Sequence, residues 1–118
     1  MEVSVRVEGT TLVVTVRGRL VAGESVQLGG ALEQAVADAP SGVNGLLINV
    51  RDVPYIDSQG LGSVIRGQQA IAGRGGRIAI AEPQPNIARV FTVTKLSNVV
   101  PLYDDEQSAL LELAAPTQ

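Results

Sequence analysis

The run Leu46-Leu47-Ile48-Asn49-Val50 is apolar at every position but one, and it lies between two segments with helical spacing. A strand apolar on both sides has no face to give to water, so it belongs in the middle of a sheet that helices cover. The flanking segments supply such helices. From Glu24 onward Leu28, Ala31, Leu32, Ala35, Val36 and Ala39 fall on one stripe, and Pro40-Ser41-Gly42 stops it. From Ser58 to Ala72 the same spacing returns through Leu61, Val64, Ile65 and Ile71, and Gly73-Arg74-Gly75-Gly76 ends it. Crossovers of this length imply parallel neighbours in the sheet.

The remaining elements extend that unit in both directions. Val3, Val5 and Val7 alternate with Ser4, Arg6 and Glu8, and Gly9-Thr10 turns the chain into Leu12-Val13-Val14-Thr15-Val16. This pattern predicts a β-hairpin with one buried face. Arg77 to Ala81 reads as a short apolar strand, followed by a helix carrying Ile87, Val90 and Phe91 with Pro85 near its first turn. Val99 to Tyr103 reads as an edge strand, because Pro101 has no ladder donor. Asp104 is placed to cap a last helix, with Gln107 at the reciprocal capping position and Ala109, Leu110 and Leu113 facing inward. Ala114 to Gln118 is expected to fray. The expected architecture is a single α/β domain over residues 1–118: a mixed sheet of four to five strands, an N-terminal hairpin followed by βα units, and about four helices packed on it.

Composition removes most chemistries. The chain of 118 residues has no cysteine and no histidine, which excludes disulfides, thiolate nucleophiles, thiolate or imidazole metal ligands and the commonest general base. Its single lysine, Lys95, is far from any glycine-rich turn, so a phosphate-binding loop of the nucleotide-hydrolase kind is absent. Gly60-Leu61-Gly62 begins like a dinucleotide fingerprint, but Ile65 stands where the third glycine belongs. Asp104-Asp105-Glu106 precedes an apolar stripe and reads as a helix start rather than a cation site. No cofactor is expected. The net charge is −3, and the nine basic residues are scattered rather than gathered, so nucleic acid is not an expected partner. Three aromatic residues form no belt for a bilayer, no apolar run approaches the ~18 residues of a span, and no secretory signal opens the chain. A cytoplasmic location without membrane binding is the expectation.

The informative stretch is Tyr55-Ile56-Asp57-Ser58-Gln59-Gly60-Leu61-Gly62, where a strand delivers a serine to a helix start. Unpaired N–H groups and the positive dipole end favour negative charge there, so a phosphate on Ser58 would be tolerated. Asp57 and Ser58 are also both favoured N-cap residues, which explains their presence without any further role. Gly60 and Gly62 tip the reading, because glycine inside a helix costs roughly 0.5 to 1 kcal/mol relative to alanine. Close packing on the sheet, or close approach of a partner's backbone, would compensate.

Asp57-Ser58-Gln59-Gly60-Leu61-Gly62 resembles the Asp-Ser-Ser/Thr-Gly-Leu/Ile-Gly signature of the STAS domain family, and within it the bacterial anti-sigma factor antagonists. Asp52 to Ile56, Arg77 to Ala81, Phe91 to Leu96 and Asp104 to Ala109 resemble the corresponding family segments, so the likeness spans nearly the whole chain. The resemblance implies partner switching. The unmodified protein would bind an anti-sigma factor that is also a serine kinase, phosphorylation of Ser58 would release it, and a serine phosphatase would reset the switch. Asp57 would be the electrostatic neighbour of that serine, and Gln59, Gly60, Leu61 and Gly62 part of the contact surface. The chain would be a substrate and ligand, not an enzyme. Many family members have an acidic residue in the neighbouring loop, where this chain reads Gly18-Arg19-Leu20-Val21; Arg19 and Glu24 are the charged residues left to serve there. Two other classes share these elements, a non-phosphorylated scaffold subunit of a transport or sensory complex and a nucleotide-sensing module.

Overall fold

In the structure, a computed structural model that describes residues 1–115, the hairpin consists of β1 (Glu2–Glu8) and β2 (Thr11–Arg17). Gly9 makes the turn at φ +62°, a left-handed conformation that glycine adopts without a side-chain penalty. Three crossovers follow. β2 passes through α1 (Ala22–Asp38) to β3 (Gly45–Asp52), β3 through α2 (Ser58–Ala72) to β4 (Arg77–Ala81), and β4 through α3 (Pro85–Val93) to β5 (Leu102–Tyr103). A last helix, α4, covers Glu106–Ala114. The sheet order is β1-β2-β3-β4-β5, with β1 antiparallel to β2 and every other pair parallel. This is the expected mixed sheet with four α-helices.

Strand alternation divides the core into two layers. Leu46, Ile48 and Val50 of β3 join Val14, Ile80, Leu32, Val64 and Phe91 beneath α1, α2 and α3. Leu47 faces the other way, with Val13, Ala79, Ala81, Ala109 and Leu113 beneath α4. β3 is buried from Gly45 to Val50, as its apolar run requires. Each large aliphatic side chain taken from water contributes roughly 1.5 to 3 kcal/mol.

Several expectations are corrected in detail. The apolar side of β1 is only partly covered: Val5 is 51% exposed and Val7 45%. The apolar residues that α1 and its C-cap set beside them are Ala31, Ala35 and Ala39, too short to reach over an edge strand, and an open groove results. Helix α1 begins at Ala22 rather than Glu24, after Val21, whose side chain cannot cap it. The buried line of α2 runs through Gly60, Ser63, Val64, Gly67 and Ile71, leaving Ile65 beside it 37% exposed, and at Gly67 a Cβ would lie 2.9 Å from Leu32 Cδ1 of α1. β5 is reduced to two residues, with the Pro101 carbonyl accepting from the Ile80 N–H. Asp105, not Asp104, caps α4, its Oδ1 accepting from the Ser108 N–H at 2.7 Å. Of the tail expected to fray, Ala114 still belongs to α4, and 116–118 lie outside the described residues.

Candidate functional site

The site forms where two loops continue the β2–β3 ladder past its end. Gly18 N–H donates to the Asp52 carbonyl at 3.0 Å, Leu20 N–H to Tyr55 at 2.9 Å, and Asp57 N–H back to Leu20 at 3.0 Å, so that Leu20 and Ile56 form a parallel bridge. From the other side, the Gln84 amide donates to the Arg51 carbonyl at 3.0 Å and the Asn86 amide to the Pro54 carbonyl at 2.8 Å. Residues 51–57 are thus held by the β2–α1 loop and by the start of α3.

Asp57 is the hub of this rim. As the N-cap of α2 its Oδ1 accepts from the Gly60 N–H at 2.8 Å, and the same oxygen accepts from the Ser25 hydroxyl at 2.7 Å. Its Oδ2 accepts from the Ala22 N–H at 3.0 Å, supplying the cap that Val21 cannot give α1. One carboxylate therefore caps two helices. The Ser25 hydroxyl, then the Gly60 N–H, with the Ala22 N–H adding to them, hold the Asp57 carboxyl below the usual carboxylate range. Ala22 has φ +53°, an uncommon conformation for a residue with a Cβ, and its bond to Asp57 opposes that strain.

Ser58 is the first residue of α2 and is exposed, as is Gln59. Among the described residues nothing is hydrogen-bonded to the Ser58 hydroxyl. Gly60, expected on the surface, is buried: a Cβ there would lie 2.6 Å from Ile56 Cγ1 and 3.4 Å from Leu20 Cβ. Its missing side chain serves the seating of α2 on the loops. Leu61 is half-buried against the core, and Gly62 is half-exposed with open space where a Cβ would stand. Arg19 is exposed with its guanidinium 5.7 Å from the centre of the Tyr55 ring, within reach of a cation–π contact. Glu24, in the first turn of α1, accepts from the Met1 amino group at 2.7 Å.

Sequence reasoning missed Ser25 and Ser63. Ser25 is buried, donates to Asp57 and accepts at its carbonyl from the Ser63 hydroxyl, itself buried. The available signal was position: Ser25 stands three residues before Leu28 on the apolar stripe of α1, where a polar side chain needs a partner. Among the described residues no three carboxylates come together in a metal-binding group, and no helix is long and apolar enough to cross a membrane.

With sheet order and rim geometry established, comparison with known proteins places the chain. It belongs to the STAS domain family, whose model matches residues 2–109. The anti-sigma F factor antagonist of Paenibacillus polymyxa is 29% identical over 68 residues, which are 58% of each protein. The chain spans 58% to 64% of the length of the curated relatives that it matches. Among solved structures, an anti-sigma factor antagonist from Mycobacterium paratuberculosis superposes with a TM-score of 0.82 at 23% identity, covering 97% of this chain and 94% of the other. The Bacillus cell fate determinant SpoIIAA in its phosphorylated form gives 0.69 at 20% identity, covering 94% and 98%.

Proposed function

We propose that this protein is an anti-sigma factor antagonist that captures an anti-sigma factor with serine kinase activity and is released when that partner phosphorylates Ser58. A serine phosphatase restores the unmodified form, and the exchange takes place in the cytoplasm. The observation that carries this reading is the contrast between Ser58 and Asp57. At one helix start the carboxylate is occupied by donors from two helices, and the adjacent hydroxyl is exposed to solvent.

The chain supplies no catalytic group on this reading; the kinase brings the nucleotide, the metal and the base. Phosphorylation would add about 1.5 to 2 negative charges at the start of α2. The N–H groups of the first turn and the helix dipole partly offset that charge in the free protein. A partner seated over Ser58, Gln59 and Gly62 would instead have to desolvate it beside the Asp57 carboxylate. A penalty of roughly 3 kcal/mol weakens association more than a hundredfold, whereas the fold loses little. The existence of a phosphorylated form of SpoIIAA, a protein of the same fold, supports the reading. Arg19 and Glu24 flank the same rim and are the charged candidates for partner contacts.

The test is incubation with the candidate kinase and ATP, followed by intact-mass analysis of wild type and Ser58→Ala. One added phosphate on the wild type and none on the variant is expected. Equal phosphorylation of both proteins would exclude Ser58 as the acceptor.

A further inference from the structure

The two edges of the sheet are built differently. β5 is two residues long and follows Pro101, so it offers almost no ladder to another chain. β1 runs for seven residues without proline or a break in its pairing with β2. An edge of that length with an apolar side invites another strand.

The direction of its free groups follows from the pairing. Thr10 accepts at its carbonyl from the Gly45 N–H at 3.2 Å, so the even residues of β2 aim their peptide groups at β3 and the odd ones, Thr11, Val13 and Thr15, at β1. Their partners Glu8, Arg6 and Ser4 therefore bond inward, and Val3, Val5 and Val7 present their N–H and C=O groups outward. The side chains of these three valines line the groove of about 460 Å³ beside Leu12, Ala35 and Ala39. Unsatisfied backbone groups and uncovered valines thus lie along one edge.

We propose that β1 pairs antiparallel with β1 of a second copy of this chain, about a two-fold axis at Ser4. In that register Val3 stands opposite Val5 of the other copy, using the outward peptide groups of both. Glu2 stands opposite Arg6 of the other copy, and the symmetry repeats the pair. The choice of a second copy rests on this charge pattern, because β1 reads Glu-Val-Ser-Val-Arg across residues 2–6 and is complementary to itself when reversed. Moving the axis to Val5 would set Glu2 against Glu8, and moving it to Arg6 would set Arg6 against itself. Arg6 already lies beside Glu8 and Glu106 but keeps 44% of its side chain exposed, so it can take a further carboxylate. The two sheets would join into one of ten strands, and each groove would close against the valines of the other copy.

Sedimentation equilibrium from about 5 µM to about 500 µM, a range that resolves weak dimers, provides the test. Wild type should show twice the monomer mass at the upper end, with weaker association at high salt. Val5→Pro removes an outward N–H and leaves the β1–β2 ladder intact, so it should be monomeric with an unchanged circular-dichroism spectrum. Glu2→Arg and Arg6→Glu each place like charges opposite one another and should be monomeric alone. Mixed together, they should form a heterodimer, since both cross-strand pairs are then of opposite charge. A wild type that remains monomeric throughout, a dimer that survives Val5→Pro, or a mixture that fails to associate although both variants keep their folded spectra would overturn the proposal.

Discussion

Ser25 and Asp57 are 32 residues apart in the chain, and the hydroxyl of the first donates to Oδ1 of the second at 2.7 Å. The same Ser25 accepts at its carbonyl from the Ser63 hydroxyl, so the N-terminal halves of α1 and α2 are joined by a polar chain under an exposed rim. Because Asp57 also bonds Ala22 and Gly60, the position of Ser58 is set by both helices.

Asp57→Asn should lower the melting temperature at neutral pH by about 4 °C and make the acid limb of the stability curve shallower. The sign follows from the direction of the shift. The folded carboxyl titrates below the unfolded value of about 3.9, so between the two the unfolded chain binds more protons and stability rises with pH. The contribution is complete above the unfolded value and is lost as pH falls through the folded one. Asp105 is lowered in the same direction by the Ser108 N–H, so a residual acid limb should remain. Thermal melts of both proteins from pH 2 to pH 7 measure this, and superimposable curves would refute the role given to Asp57.

Gly60→Ala and Gly62→Ala should move stability in opposite directions. A methyl group at 60 meets Ile56 at 2.6 Å, and the resulting overpacking should cost about 1 to 3 kcal/mol. At 62 it meets open space, and the better helix former should contribute up to about 1 kcal/mol. Urea midpoints decide between these outcomes. If Gly62→Ala raises the midpoint and still weakens capture of the proposed anti-sigma partner, the surface at 62 touches that partner.

Asn49→Asp probes the far side of the sheet. The Asn49 amide, 6% exposed, donates to Glu82 Oε2 and to Glu106 Oε2, each at 2.8 Å. Burial pushes the Glu106 carboxyl up, but Asn49 and Arg6 outweigh it and leave the group below its ordinary value. An aspartate would place a third carboxylate against two others and remove their donor, costing about 2 to 4 kcal/mol at neutral pH. Chemical denaturation at pH 7 and pH 5 should show the deficit shrinking at the lower pH.

Ser58→Asp should reduce affinity for the proposed anti-sigma partner at least about a hundredfold while the melting temperature moves by less than about 2 °C. Titration calorimetry and a thermal melt on the same preparation separate binding from folding. Undiminished affinity would remove the basis for charge-controlled docking.

The sheet was legible in the sequence because each of its strands carries its own period, and β3 above all could not have been placed at an edge. What was not legible was governed by contacts between segments. Val21 gives no capping signal, because the acceptor that starts α1 is Asp57 from a different loop. Gly60 and Gly62 look equivalent in sequence, yet one is buried against Ile56 and the other faces open space. The choice of Asp105 over Asp104 as a cap turned on one residue of phase, which neighbouring acids leave undetermined. The valines of β1 alternate as a buried strand should, but their burial depends on alanines in α1 that are too short to cover them.

The bridge between Leu20 and Ile56 also bears on reagents for studying this protein. A linear peptide copied from 55–62 would carry the serine but lack the Ala22 amide and the Ser25 hydroxyl that hold the aspartate beside it. An enzyme that reads the shape of this rim should accept the whole domain far better than such a fragment, and antibodies raised against the fragment should recognise the denatured chain in preference to the native one.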